Sequence, residues 1–326
     1  MRKLVPLVTC IVMFAVSLSC AEQPLLPQEE EPQRLGYRDA VVLGAVEGFT
    51  EYLPISSTGH LILANKALGH DLEQGGGEAE GSVEQGRGVN KAAVDAYSIV
   101  IQSGAILAVL VIYWKDVSGI FFGMIGRNRQ GFLLGRNILL AFLPAAVLGF
   151  LFNSWIEQHL FGHIPVAAAL IVGTPIMLGA EHWRKKRSPA QEEQAAGKEL
   201  HDISPLQALF VGLLQSCAMW PGLSRSMITI CGGYVIGLSP ERAARFSFLL
   251  GLVTLGSASF YTTFLHWDIM YSSIDAGPAL LGIFFAGICA ALSVKWFVGY
   301  LSRKGLALFA WYRMIVAVAV LVVFGI

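Results

Sequence analysis

Charge is scarce in this chain. Lys plus Arg number 23 and Asp plus Glu number 23 in 326 residues, so 14% of positions are charged and the formal net charge is zero. A soluble domain carries about 25% charged residues, so an ordinary water-facing surface is excluded for much of the chain. With no net charge there is no global field to draw in nucleic acid, and no nucleic-acid partner is expected. Cysteine is sparse too. Cys10, Cys20, Cys217, Cys231 and Cys289 lie mostly in apolar stretches and show no C-x-x-C or other metal-ligand spacing. They read as small buried hydrophobes rather than ligands.

What is present instead is apolar sequence. Hydrophobic residues make up 55% of the chain, and several runs approach the roughly 20 residues that cross a bilayer as a helix. Runs at 95–114, 136–152, 163–182, 242–265, 277–301 and 307–326 predict six spanning helices in an all-α polytopic membrane protein embedded in the lipid bilayer. The N-terminus reads differently. Arg2 and Lys3 precede Leu4–Leu18, a run too short to span comfortably, and Ser19-Cys20-Ala21 follows. Residues 1–21 are expected to be a signal peptide or targeting segment. Small residues before Cys20 weakly suggest lipoprotein-type processing; Pro6 and the lack of Leu three residues before Cys20 argue against it. Residues 22–37, acidic and rich in Pro and Gln, read as a disordered tether. The Gly- and Glu-rich stretch 69–91 reads as an inserted flexible loop. Trp183–Asp202 opens with Arg184, Lys185, Lys186 and Arg187 and reads as a polar loop.

Segments 38–68 and 204–238 each hold two short apolar stretches split by Pro and polar residues. Neither half can span, so each segment reads as a re-entrant helix pair. Broken backbone survives at membrane depth only when buried in protein or lining a wet cavity. The two segments also repeat. Ala40, Gly44, Glu47, Ser56, Ser57 and Thr58 match Ala208, Gly212, Gln215, Ser224, Arg225 and Ser226 at a constant separation of 168 residues. Three spans follow each segment. Three is odd, so the second copy (204–326) must be inverted relative to the first (38–182), an inverted-topology repeat whose re-entrant pairs meet near the midplane. Placing the mature N-terminus outside puts Lys115, Arg127, Arg129, Arg136, Arg184–Arg187, Lys295, Arg303 and Lys304 inside. The stretches 153–162 and 266–276, then outside, contain no Lys or Arg, as the positive-inside rule asks. Both mature termini are expected outside the cytoplasmic (inner) membrane.

Ionisable groups are expensive at membrane depth, so those found there are functional candidates by default. Glu47 and Glu51 are four apart and share one helix face. Two like charges there call for a cation between them or a proton on one of them. Their oxygens suit a divalent metal, Mg²⁺ or Ca²⁺. A pair on a solvated face is the plainer explanation, and Val41, Val42, Leu43, Tyr52 and Leu53 around them argue against it. The hydroxyls of Ser56, Ser57 and Thr58 follow, then His60, which can act as a general base or nucleophile. In the second segment Ser224, Arg225 and Ser226 follow Pro221-Gly222 and open a helical run. Arg presents a rigid fork that matches phosphate oxygens, and a helix N-terminus adds free N–H groups. Gln215 stands in the second copy where Glu47 stands in the first. Arg313, within the last span, reads as structural, paired to a carboxylate or to carbonyls; Asp95, Glu181 and Arg242 lie at span ends and read as interfacial.

On these residues the chain resembles the undecaprenyl-diphosphate phosphatase family, also called bacitracin-resistance proteins. Glu47-Gly-Phe-Thr-Glu51-Tyr-Leu-Pro-Ile-Ser-Ser57-Thr-Gly-His60 follows the family's first motif, and Pro221-Gly-Leu-Ser224-Arg225-Ser226 with Thr229 follows its second. Ile101-Gln102-Ser-Gly-Ala-Ile-Leu-Ala and Phe246-Ser-Phe-Leu-Leu250 look like further family blocks. The resemblance implies metal-dependent removal of the terminal phosphate from undecaprenyl diphosphate at the periplasmic face. It implies metal binding and acid–base work for Glu47 and Glu51, and nucleophile candidacy for Ser57 and His60. It implies a diphosphate clamp from Arg225, with Ser56, Thr58, Ser224, Ser226, Thr229 and Gln215 as substrate-binding groups. Met227 departs from the family's usual Gly and Val253 from its frequent Pro. The implied role is recycling of the lipid carrier for cell-wall synthesis, with bacitracin resistance as a consequence and a homodimer left open.

Another class stays in view. Inverted repeats and broken helices are also transporter features, so a transporter or flippase of phosphorylated prenyl lipid carriers is the alternative. Two carboxylates beside a Ser/His cluster exceed what simple binding needs, and release of phosphate in detergent discriminates the two.

Overall fold

The computed structural model describes residues 35–70, 91–265 and 274–325. The expected signal segment, most of the tether and the body of the inserted loop lie outside the described residues. The described chain is helical throughout. In order the helices are α1 (Tyr37–Thr50), α2 (Ser57–Ala67), α3 (Lys91–Ile112), α4 (Trp114–Met124), α5 (Arg129–Leu160) and α6 (His163–Lys185). Then come α7 (Pro189–Gly197), a 3₁₀ turn (Leu200–Asp202), α8 (Pro205–Cys217), α9 (Arg225–Val235), α10 (Pro240–Leu265), α11 (Ala276–Lys304) and α12 (Ala307–Val323).

Among the described residues, five helical stretches are long and apolar enough to cross a membrane: Val94–Ile112, Arg129–Ile156, His163–Lys185, Pro240–Leu265 and Ala276–Lys304. They match five of the six expected spans, and the chain is a multi-pass membrane protein. Their outward faces carry large apolar side chains such as Phe150, 74% exposed, and Phe264, 76% exposed. That is a surface suited to lipid rather than water. The sixth expected span, α12, is apolar but has 17 residues, roughly 25 Å against a hydrocarbon core of about 30 Å.

Three stretches read as loops are helical. α4 occupies part of the charged stretch after the first span, with Asp116 in its first turn favouring the dipole. α5 begins at Arg129, where the Asn128 side chain accepts the Gly131 N–H at 3.0 Å, and runs on to Leu160. The expected outer loop 153–162 is therefore mostly the end of a helix. α7 forms within the polar loop because Ser188 and Gln191 cap it reciprocally, with Pro189 at its first position. Glu181, near the end of α6, is buried in the protein. It is 3% exposed, accepts from Arg184 Nη2 at 2.8 Å, and accepts the Leu306 N–H at 3.3 Å, tying α6 to the start of α12.

The two broken segments each form a pair of short helices, α1–α2 and α8–α9. Each first helix presses a glycine against a long helix from the other half of the chain. A Cβ on Gly44 would overlap the carbonyl of Gly282 in α11, and one on Gly212 would overlap the carbonyl of Ala141 in α5. Only a residue without a side chain allows backbones this close. The main core, with Tyr52, Met227, Tyr234, Phe246, Phe248 and Phe297 among its buried members, lies where the segments and the long helices converge.

Candidate active site

The first tip is the junction of α1 and α2. α1 carries Glu47 inward, 1% exposed, and Glu51 is the residue whose N–H closes the helix on the Glu47 carbonyl at 2.9 Å. Pro54 cannot donate to a continuing helix. The chain turns, and Ser56 takes φ +70°, a left-handed value that costs a non-glycine residue of order 1–3 kcal/mol. The Ser56 hydroxyl accepts the Gly59 N–H at 3.5 Å, and Ser57 becomes the first residue of α2. From there its hydroxyl donates to Glu51 Oε2 at 2.6 Å.

The second tip repeats this geometry. Ser224 has φ +74°, and its hydroxyl accepts the Met227 N–H at 3.3 Å. Arg225 occupies the first position of α9 as Ser57 does in α2. Among the described residues, Ser56 and Ser224 are the only non-glycine residues at positive φ.

The tips touch. Arg225 Nη2 donates to Glu51 Oε1 at 3.2 Å, its Nη1 donates to the Ser247 carbonyl at 3.1 Å, and its guanidinium lies 5.3 Å from the Tyr52 ring centroid. The Ser226 hydroxyl crosses the same junction to the Leu53 carbonyl at 2.8 Å. Glu51 thus holds a hydroxyl with one oxygen and a guanidinium with the other. Gly251 on α10 leaves the space for that guanidinium, because a Cβ there would overlap it.

Glu47 stands one turn back on α1. Its Oε2 is buried without a hydrogen-bond partner. The Gln102 side chain approaches the Glu47 carboxyl from α3, while Gln102 Oε1 accepts the Ser259 hydroxyl at 3.1 Å. Gln215 is 2% exposed; its Oε1 accepts the Thr254 hydroxyl at 3.3 Å and its Nε2 has no partner. An unpartnered carboxylate oxygen beside Glu51 fits a hard divalent cation. No group of three or more His, Cys, Asp or Glu side chains stands together among the described residues. Among the described residues Glu47 and Glu51 are the carboxylates that would hold such a cation, which would complete its shell from phosphate oxygens and water.

The expected residues do not all converge. Glu51, Ser57 and Arg225 are joined directly. His60 is turned away from the carboxylates: its Nδ1 donates to the Ser56 carbonyl at 2.7 Å, its Nε2 accepts from the Tyr312 hydroxyl at 2.9 Å, and its ring stacks on Tyr312. Ser226 and Thr229 brace the tips, with the Thr229 hydroxyl bonded to the Arg225 carbonyl at 2.8 Å and to Ser247 Oγ at 2.6 Å. Ser224 is occupied as a helix cap, as is Ser56, and Thr58 is partly exposed on the next position of α2. Sequence reasoning missed Ser247, Gly251 and Ser259 on α10, Gln102 on α3 and Tyr312 on α12 as parts of the site. The signal was present in α10, where Ser247, Gly251 and Thr254 recur at helical spacing.

Comparison with known proteins identifies the family. A family described as "Bacitracin resistance protein BacA" matches residues 40–319, which include both tips. An undecaprenyl-diphosphatase of Sorangium cellulosum is 42% identical over 284 residues, covering 87% of this chain and 85% of that protein. One from Polaromonas naphthalenivorans is 40% identical over 285 residues, covering 86% of this chain and 93% of that protein. A third, from Nitrosomonas europaea, is 38% identical over 275 residues. A match of this length, spanning the fold and both halves of the site, places the chain in the bacitracin resistance protein BacA family.

Proposed function

We propose that this chain hydrolyses undecaprenyl diphosphate to undecaprenyl phosphate and inorganic phosphate, recycling the lipid carrier for cell-wall synthesis. The observation that carries the reading is the junction of the tips, where one carboxylate holds a hydroxyl at 2.6 Å and a guanidinium at 3.2 Å. Ser57 is the nucleophile: its oxygen bonds to the terminal phosphorus as the bridging P–O bond breaks, and Glu51 accepts its proton and passes it to the departing undecaprenyl phosphate. A water deprotonated by Glu51 then hydrolyses the phosphoserine to free serine and inorganic phosphate. In this reading His60, whose Nε2 bonds to the Tyr312 hydroxyl, positions α2 against α12 and Ser57 does the attacking. Arg225 turns part of its fork to the diphosphate, and the unpartnered Gln215 Nε2 offers a further donor. A Mg²⁺ or Ca²⁺ ion held by Glu47 and Glu51 would neutralise charge on the phosphate oxygens. Purified protein in detergent, given undecaprenyl diphosphate and Mg²⁺, is expected to release phosphate. Absence of release, with the lipid moving across vesicles instead, would favour the transporter.

The room left by Gly251 makes a direct prediction. Gly251→Ala pushes against the Arg225 guanidinium without touching its charge. Phosphate release is expected to fall by roughly 10–100-fold, the scale of a displaced charge-assisted contact. A Gly251→Ala enzyme with wild-type turnover would show that Arg225 has no fixed working position.

The chain is read as an inverted repeat within one membrane domain, residues 38–326, with copies at 38–182 and 204–326. Support comes from the matching helices Ser57–Ala67 and Arg225–Val235, from Ser56 and Ser224 at the same unusual φ, and from the exchanged glycine contacts of α1 and α8. The active site faces the periplasm, and Arg184–Arg187 lie in the cytoplasm. Glu193 is exposed on α7 and is not one of its capping residues, so it is the place for a reporter cysteine in a cysteine-free background. That cysteine is expected to resist an impermeant thiol reagent in intact cells and to react after permeabilisation. Labelling of intact cells overturns the orientation.

A further inference from the structure

Arg313 is the largest fully buried side chain of the described residues, 0% exposed, and among them it pairs with no carboxylate. A buried cation without a counter-ion is costly. What surrounds it is backbone. Nη1 donates to the Leu223 carbonyl at 2.9 Å; Nη2 faces the carbonyls of Gly222 at 3.1 Å, Ala169 at 3.1 Å and Leu170 at 3.4 Å. Two of these oxygens belong to α6. The other two immediately precede Ser224, in a turn where Gly222 has φ +97° and Ser224 has φ +74°. The guanidinium fits only because residue 173 is glycine; a Cβ there would overlap Nη2. The same turn is held on its other flank by Trp220, whose Nε1 donates to the Pro165 carbonyl at 3.0 Å.

We infer that Arg313, seated against Gly173, is a positioning residue that clamps the 222–223 backbone to α6 and so sets where α9 begins and where Arg225 points. The turn between α8 and α9 leaves carbonyls that no helix satisfies, and it holds two residues at left-handed φ. Such a turn needs an external constraint to stay in one conformation. A planar fork with several donors can bridge carbonyls from two elements at once, which a lysine ammonium on a flexible stem does not reproduce. The hydrogen bonds of Arg313 go to backbone carbonyls and not to Glu51 or Ser57, so its effect on the reaction passes through the tip.

The kinetic part of the test rests on the phosphatase reading; the structural part does not. Arg313→Lys and, separately, Gly173→Ala are purified as monodisperse protein. Hydrogen exchange is followed for the peptide covering 219–226 and, as a control, for α1. Faster exchange at 219–226 with α1 unchanged is expected in both variants. In phosphate release, kcat is expected to fall by about 10-fold or more and KM for the lipid to rise, with the Mg²⁺ requirement unchanged. Gly173→Ala keeps the charge and carries the test if Arg313→Lys fails to fold. Wild-type exchange and kinetics in a folded variant overturn the clamp. So does a fall in activity with exchange at 219–226 unaltered, which would make Arg313 a residue of general packing. If the wild type itself releases no phosphate, the proposed function fails while the exchange data still decide the clamp.

Discussion

Glu51→Gln is expected to lower phosphate release by about 10³-fold or more, at the upper end of what a positioned general base contributes together with loss of a metal ligand. The reason is in how the two oxygens are used. Arg225 only donates, so the glutamine must turn its carbonyl oxygen to Nη2. Its NH₂ then faces Ser57, which sits 2.6 Å from Glu51 Oε2. The serine hydroxyl becomes an acceptor there, its proton points elsewhere, and no base stands ready to take it. The same substitution removes a negative charge beside Glu47, so the Mg²⁺ concentration for half-maximal activity should rise. Phosphate release measured across a Mg²⁺ titration checks both effects. Full activity with an unchanged metal requirement would sink the role given to Glu51.

Arg225→Ala is the second large effect, and Arg225→Lys separates charge from shape. Alanine leaves the Glu51 carboxylate without its guanidinium, and it leaves the diphosphate without its clamp. Losing a charge-assisted bond to a desolvated anion costs a few kcal/mol, about 10²-fold or more in rate. Lysine restores one charge but cannot serve Glu51, the Ser247 carbonyl and a phosphate with one fork. Most activity should therefore be lost in Arg225→Lys and more in Arg225→Ala. Folding should persist, because Tyr52, Phe248 and the long helices pack the core independently of this contact. Purified, monodisperse variants assayed for phosphate release and lipid affinity give the answer. Near wild-type values for Arg225→Ala would make Arg225 a structural tie, and the two tips would not be one active site.

Several features of the site were legible because they are local. Glu47 and Glu51 share a face by helical spacing alone. Ser56 follows Pro54 by two residues and Ser224 follows Pro221 by three, and helix caps need nothing but the residues beside them. The long spans announce themselves by composition. α7 was also legible in principle, through Ser188, Pro189 and Gln191, but charge density in Trp183–Asp202 masked a cap that depends on three positions only. α5 ran past its expected end because nothing from Asn153 to Leu160 forbids helix, and an absence of Lys and Arg is not a stop signal.

By itself the sequence determined that this chain is helical and membrane-embedded, that it breaks twice at related motifs, and that these motifs carry carboxylate, hydroxyl and guanidinium groups where charge is costly. Only the tertiary structure decided which of those groups meet. Glu51 and Arg225 are separated by 174 positions yet bond at 3.2 Å, while His60, nine residues from Glu51, turns to Tyr312. Spacing along a helix fixes a face but not what that face is packed against. Partners of Arg225, Arg313 and His60 include groups on α10, α6 and α12, and Gly251 and Gly173 leave the room in which the two guanidinium groups sit.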